Sequence, residues 1–528
     1  MALLPEYLPM LMNNQEILIE SFKDVEEDFE ELEYLVTSNL GHLDKFKQEL
    51  ENSKSFIYKK TYQLVLANVK KSVNDYTRYL TAIKQFKALA KNKRYTLKLL
   101  NYFVTNKYTY YDLVRSQQVN LGSLITSTDW QSPSYKHSLH SFAGRQTGKI
   151  IGTINDYKRD AHLDERKYEK LYLRQYIDTR FKFNIGVYMT NSGMAAIATI
   201  LNFLIMERKI KRKVILGKSV YFQYKQLVVK GLPGQVIEVD ELDTDKILQT
   251  IENERPSVIF FDSLCNSKNI ALPNLEKIIN YLIRQYSKEV YLVIDNTCLT
   301  TTFQPMKMIV GKTDKIHLIL FESLMKYLQL GLDRATGGII AAFGADIRKI
   351  FEYRKHSGTN ISDSSVYAIP VPNRDILNRR LTRYHRNATV LASYLQEYIE
   401  YKKTPIESII YPGLPNHPAH QWAKKIPFHG CFFNLGFKKK YAKTFFYKKF
   451  IDTVINEAKK QNLNLVAGTS FGLNTTRIYL TSVWTDYGES FVRVALGTEN
   501  RLELDTLKKI FSNSIDRFHS PFTSFLRR

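Results

Sequence analysis

Apolar residues in the first hundred positions recur in steps of three and four. Leu18, Phe22, Val25, Phe29, Leu32 and Val36 form one such series, flanked by Glu16, Glu20, Asp24, Glu26, Glu27, Asp28, Glu30, Glu31 and Glu33. Leu66, Val69, Val73, Tyr76, Leu80 and Ile83 form a second, flanked by Lys59, Lys60, Lys70, Lys71, Arg78, Lys84 and Lys87. This spacing places each series on one face of an α-helix. The pattern predicts a hairpin of an acidic and a basic helix, packed on each other or on matching helices of a second subunit. Such a segment serves either as a structural or oligomerising extension or as a docking module for a partner protein or an anionic polymer. Nothing in it points to catalysis.

After a loop-like stretch over Trp130–Gly148 the pattern changes. Short apolar runs at Lys213–Leu216, Gln235–Val239, Ser257–Phe261, Val290–Ile294, Ile316–Phe321 and Gly338–Phe343 are separated mostly by helix-length segments such as Asp245–Glu254 and Asn274–Tyr286. Strands alternating with helices predict an α/β fold with a parallel sheet covered on both faces. The apolar run Gly193–Met206 is interrupted by Thr199 and Asn202 and is too short to span a bilayer, so it reads as a buried helix. Ligands of such sheets sit beyond the carboxyl ends of the strands. There the chain carries Asp295-Asn296-Thr297 after one strand and Glu322-Ser323-Leu324-Met325-Lys326 after another. The acid and the lysine are expected to meet at that edge.

Composition narrows the classes. The 528 residues are 44% hydrophobic and 13% aromatic, which excludes disorder of the whole chain and suggests two to four domains. A net charge of +24 invites a polyanionic partner. The basic residues are, however, spread over Arg208–Lys213, Lys438–Lys449 and the second helix, without a nucleic-acid recognition motif. A non-catalytic basic scaffold binding nucleic acid or partner proteins is therefore the alternative class, and nucleic acid is not the expected partner. Cys265, Cys298 and Cys431 are too far apart in sequence for a disulfide framework or a CxxC zinc site. His417 and His420 lack a third ligand cluster, so no metal is expected; Cys298 reads as a small apolar filler. No GxxxxGK[ST] or GxGxxG loop is present. The first residues, MALLPEYLPMLMNNQE, have no basic n-region, and a cytoplasmic protein without membrane attachment is expected.

Taken singly, a lysine after a strand is a solvated side chain and an aspartate there is a turn residue. Together with the Ser192-Gly193-Met194 turn they supply what one cofactor needs. A Schiff-base lysine holds pyridoxal 5'-phosphate, a carboxylate keeps its pyridine nitrogen protonated, and a helix N-terminus presents N–H groups to its phosphate.

The segments NSGMAAI (191–197), VIDNT (293–297), ESLMKYLQLGLDRATGG (322–338) and YPGLPNHPAHQWAKK (411–425) resemble the cystathionine gamma-synthase-like family of Cys/Met-metabolism enzymes. TRYHRNATVLASYL (382–395) and FVRVALGTEN (491–500) resemble its C-terminal domain, and DYKRD (156–160) its Tyr-x-Arg arm. The resemblance implies a fold type I pyridoxal-phosphate transferase of the aspartate-aminotransferase fold. It would have a mostly parallel large domain and an α+β small domain, here with an added all-α extension. The expected organisation is 1–130 for the extension, 131–375 for the arm and cofactor-binding domain, and 376–528 for the C-terminal domain.

Carried over residue by residue, the resemblance makes Lys326 the cofactor's lysine and Asp295 the partner of the pyridine nitrogen. Gly193, Met194 and Ser323 hold the phosphate. Tyr157 and Arg159 reach the phosphate of a neighbouring subunit, which implies a homodimer or homotetramer with shared active sites. Tyr221 stacks on the cofactor and assists catalysis; Arg493 clamps the substrate carboxylate, and Ser470 lies near the lysine. The implied activity is β- or γ-elimination or replacement on an amino acid, sulfur-containing or O-activated, as in trans-sulfuration. Two departures bear on it. Met325 stands where the family has a threonine before the lysine. The chain after Ser470 also departs from the family's glycine-rich continuation, so that Phe471, Asn474, Thr475 and Arg477 could reshape the pocket, as in a tailoring enzyme of a specialised pathway.

Overall fold

The computed structural model describes residues 14–52, 59–91, 95–129, 131–132, 157–344, 346–481 and 489–525. The loop expected over Trp130–Gly148 lies outside the described residues except for Gln131 and Ser132. So do the first thirteen residues, Asp156 and residues 482–488. Short one-turn helices aside, the chain begins with α1 (Asn14–Glu51), α2 (Lys59–Ala90), α3 (Leu97–Ile125) and α4 (Leu163–Tyr176). It continues through β1 (Ile185–Thr190), α5 (Gly193–Met206), β2 (Val214–Gly217), α6 (Phe222–Gly231), β3 (Val236–Val239), α7 (Thr244–Glu254), β4 (Val258–Asp262), α8 (Leu275–Arg284) and β5 (Val290–Asp295). Next come β6 (Ile316–Ser323), β7 (Gly338–Phe343), α9 (Ile347–His356), α10 (Asp363–Ala368) and α11 (Arg374–Tyr401). The last elements are β8 (Ile406–Ile410), β9 (Phe432–Phe437), α12 (Thr444–Lys460), β10 (Val466–Ala467), β11 (Arg477–Thr481), β12 (Phe491–Ala495) and α13 (Arg501–Phe525). These elements form two compact units, one of residues 22–209 and 317–376, the other of residues 1–21, 210–316 and 377–528.

In the first unit the extension is three helices and not the expected hairpin. The two series do what their spacing requires: Val25, Phe29, Leu32, Val36, Val69, Tyr76 and Ile83 are buried. The third helix, α3, opens on a Thr96 cap that accepts from Leu99 N at 3.3 Å. Its stripe is blurred in the sequence because Leu97, Tyr102 and Val119 face outward. Polar pairs inside the bundle fix its register. Lys107 Nζ meets Asp28 Oδ2 at 2.9 Å with both side chains buried, Tyr111 donates to Glu31 at 2.8 Å, and Asn39 Nδ2 donates to Gln118 Oε1 at 3.0 Å. A buried ion pair adds little net stability but penalises any packing that parts it.

The α3 helix packs along α10. A Cβ on Gly122 would lie 2.1 Å from Ser364 O, so only glycine allows this approach. Strand β7 runs between β1 and β6 and is antiparallel to both. That corrects the parallel expectation for residues 338–343. Strand β1 was not in the expected set; in the register, Thr190 and Ser323 both pair with Gly338. The fully buried Arg354 ties α9 to α4 through Glu165 (2.8 Å) and Glu169 (3.0 Å), and to β1 through Met189 O (3.1 Å).

In the second unit β5, β4, β2 and β3 lie in that order, all parallel. Strands β5, β4 and β2 read as continuous apolar runs because both faces are covered, whereas β3, at the sheet edge, exposes Glu238. A five-stranded sheet, β10-β11-β12-β9-β8, packs with α11, α12 and α13 around Leu391, Leu395, Phe450, Leu507 and Phe511. Among the described residues no helix is long and apolar enough to cross a membrane.

Candidate active site

A phosphate-type group of residues lies in the first unit. Ser192 caps α5, its Oγ accepting from Ala195 N at 3.0 Å. The first backbone bond of the helix runs from Ala196 N to Ser192 O, so the N–H groups of Gly193 and Met194 have no intrahelical partner. A Cβ on Gly193 would stand 3.0 Å from the Cβ of Ser323. The structure thus brings Gly193 and Ser323 together as a narrow cradle at the positive end of an apolar helix. Orphan donors, a helix dipole and a hydroxyl fit a phosphate. Strand β6 continues through Ser323, so Glu322, expected beyond the strand, is a buried strand residue. Its charge adds to burial in pushing up the Tyr172 hydroxyl. Ser323 Oγ accepts from Met325 N at 3.4 Å, closing the turn that carries the half-buried Lys326. Met325 thus joins that turn through its backbone.

Tyr157 and Arg159 are in the same unit. Arg159 lies over the Tyr157 ring at 4.9 Å and pairs with Asp160 at 3.5 Å, its side chain 75% exposed. Between them Lys158 is buried, bonded to Asp129 Oδ2 at 2.7 Å and to Asp363. Its burial turns its two neighbours outward.

A group of carboxylates lies in the second unit. Asp295 ends β5, its Oδ1 accepting from Thr297 N at 2.9 Å. Asp262 ends β4 in register with it and was missed in the sequence, although VIFFD carries the same signal as VYLVID. Asp262 accepts from Tyr221 N at 3.0 Å and from the Tyr224 hydroxyl at 2.5 Å. Burial, then the charge of Asp295, holds the Asp262 carboxyl well above the usual carboxylate range. Tyr221 caps α6, its hydroxyl donating to Gln223 at 2.9 Å. Burial and then the charge of Asp295 raise that hydroxyl's pKa.

Arg493, on β12, is 1% exposed. Its Nε donates to Asn434 Oδ1 at 2.9 Å and its Nη2 to Ser267 O at 3.0 Å. Asn434 in turn donates to the carbonyls of Ser267 and Lys268. The guanidinium lies 4.3 Å from the Phe432 ring centroid. It is oriented before any ligand arrives. Ser470 sits in a turn at φ 77°. Of the residues after it, Phe471 packs on Phe432 and so borders the Arg493 environment. Asn474 and Arg477 are taken up by Arg380 and by Thr469 O.

Both ring nitrogens of His417 engage backbone groups, Asn269 O at 2.9 Å and Ala419 N at 3.1 Å. Cys298 is buried, and burial, then Asp295, pushes its thiol well up, unlike a reactive thiolate.

A sequence model of the Cys/Met metabolism PLP-dependent enzymes matches residues 152–468, over half the chain. The chain belongs to that family. Pyridoxal phosphate (PLP) is the family's cofactor, and the chain has its fold type I architecture with the helices α1–α3 added. A bifunctional enzyme, flvA, of Aspergillus flavus is 20% identical over 370 residues, 69% of this chain and 43% of that protein. An O-succinylhomoserine sulfhydrylase of Pseudomonas aeruginosa is 25% identical over 237 residues, 45% of this chain and 54% of that protein. The chain spans about half the length of the curated relatives it matches. Among solved structures, a cystathionine gamma-lyase from Lactobacillus plantarum complexed with L-serine superposes with a TM-score of 0.55 at 17% identity, covering 76% of this chain and 99% of that one. That likeness shows the fold.

Proposed function

We propose that this protein is a PLP-dependent lyase or transferase catalysing β- or γ-elimination or replacement on an amino acid, sulfur-containing or O-activated. The carrying observation is the Gly193–Met194 donor pair set against Ser323, on the turn that presents Lys326. The cofactor, when bound, supplies a protonated ring that takes up the electrons left on the substrate's Cα. Gly193 N, Met194 N and Ser323 Oγ bind its phosphate. Lys326 Nζ would hold its aldehyde carbon and, once displaced by the substrate's amine, would be free to carry the Cα proton. Asp295 keeps the ring nitrogen protonated, and Tyr221 covers the ring face. Arg493 binds the substrate carboxylate through its outer N–H groups, a planar geometry that lysine does not offer. Ser470 and Phe471 border that end of the pocket and give the chain its substrate preference.

In this reading residues 1–130, 131–375 and 376–528 act as extension, cofactor-binding domain and small domain. The protein works in the cytoplasm as a homodimer or homotetramer, handing Tyr157 and Arg159 to a neighbour's phosphate. Their outward, exposed setting in the single chain supports this. The test is the absorbance of purified protein loaded with PLP, followed as candidate amino acids are added while keto acid, ammonia or thioether is assayed. Lys326→Ala is expected to lose the lysine-bound band and at least about a thousandfold in turnover. Band and turnover both surviving in that variant would sink the proposal.

A further inference from the structure

We infer that Arg115, which precedes the matched family region, is a positioning residue for Lys326, acting through the loop that follows the lysine. Arg115 Nε donates to Leu332 O at 3.0 Å. Leu332 N donates to Gln329 O at 3.0 Å, and Gln329 N to Lys326 O at 3.3 Å. One run of hydrogen bonds therefore joins a helix of the extension to the backbone of the lysine.

The loop needs such a hold. It leaves Lys326 and returns where Leu324 N meets Gly337 O at 2.9 Å. Between these points Leu330 (φ 49°), Gly331 (φ 80°) and Asp333 (φ 48°) are left-handed, and two of the three carry a side chain that disfavours it. Backbone of this kind persists only where its surroundings over-determine it. Inside the loop the buried Gln329 does part of this, its Oε1 accepting from Arg334 N (2.9 Å) and Ala335 N (3.2 Å) and its Nε2 donating to Ala335 O. From outside, Arg115 holds the carbonyl of Leu332, between the left-handed residues 331 and 333.

The helix that carries Arg115 is itself fixed. One turn on, Gln118 is bonded to Asn39 of α1 at 3.0 Å and to Tyr367 O at 3.3 Å. Two turns on, Gly122 meets the Ser364 carbonyl with no room for a Cβ. Tyr34 on α1 adds a bond to Val371 O at 2.7 Å. The extension thus offers a rigid mount, and Arg115 is its contact with the lysine loop.

The inference rests on the reading of Lys326 given above, and its test separates the two. Arg115→Met keeps the side chain as far as the Nε position and removes the donor. Arg115→Gln places an amide N–H where Nε stands. Hydrogen exchange of the 327–337 segment is measured in the full chain without cofactor, together with the pH midpoint of the cofactor's absorbance band in the loaded protein. The methionine variant is expected to exchange about fivefold faster at the Arg334 and Ala335 amides and to shift the midpoint. The glutamine variant should stay within about twofold of wild type in exchange. Unchanged exchange in Arg115→Met, equally fast exchange in both variants, or fast exchange with an unmoved midpoint would overturn the inference. Should the methionine variant not fold, Arg115→Lys, with a methylene at the Nε position, replaces it under the same criteria. A Lys326→Ala protein that kept the band would instead overturn the reading of Lys326 and leave the exchange result standing.

Discussion

Asp262 and Asp295 end adjacent parallel strands in direct register, the first buried and bonded to Tyr221 N and Tyr224, the second holding the turn at Thr297. Burial, then the neighbouring charge of Asp295, raises the Asp262 carboxyl well above the usual carboxylate range. Their replacements should therefore differ. Asp262→Asn keeps acceptor and shape, and turnover should fall by less than about tenfold, whereas Asp295→Asn should lose about a hundredfold or more. Steady-state rates of the two variants decide it, and equal losses would refute the division of roles.

Lys158 joins Asp129 to Asp363 in a buried site. Lys158→Met would leave two buried carboxylates without their cation, at a cost of about 3–5 kcal/mol. A drop in thermal midpoint, partly restored by adding Asp129→Asn and Asp363→Asn, is the expected result. Weaker cofactor retention should accompany it, since Tyr157 and Arg159 lose their outward setting.

Glu499 is fully buried, its carboxyl accepting from Thr476 N, and burial followed by the charge of Glu503 raises its pKa from 4.5 to about 7. The folded state binds this proton more tightly than the unfolded chain does. Its contribution is complete below pH 4.5 and is lost as pH rises towards 7. Glu499→Gln removes that dependence. The variant should gain about 3 kcal/mol relative to wild type at pH 8 and almost nothing at pH 4, as read from denaturant midpoints at both.

Gly122 lies inside α3, where alanine would ordinarily stabilise by about 1 kcal/mol. Here the added Cβ meets Ser364 O at 2.1 Å, so Gly122→Ala should instead destabilise by about 1–3 kcal/mol. A raised melting temperature would contradict the packing of α3 on α10.

Much of this was legible in the chain. The six expected strands occur within a residue or two of their predicted bounds, because most of them are buried on both faces and so read as short apolar runs. Helix α5 begins and ends where its apolar run does. Strand β1, IGVYMT, went unread because glycine and alternating burial weaken the apolar signal. The α3 helix was hidden by outward-facing Leu97 and Tyr102. In the site, Asp295, Lys326 and the Gly193 turn stood out because each follows a clear strand or opens a clear helix. Asp262, Asn434 and Gln329 did not. Their parts depend on strand register and loop closure, which local spacing does not encode.

The family model matches from residue 152, yet the carbonyls of Leu332, Tyr367 and Val371 receive their hydrogen bonds from Arg115, Gln118 and Tyr34. A chain trimmed to the shared stretch would leave three acceptors bare, at about 1–3 kcal/mol for each that stayed buried, and uncover the face of α10. The stretch that the family model matches is therefore shorter than the unit that packs together, and ancestry marks a poor place to cut.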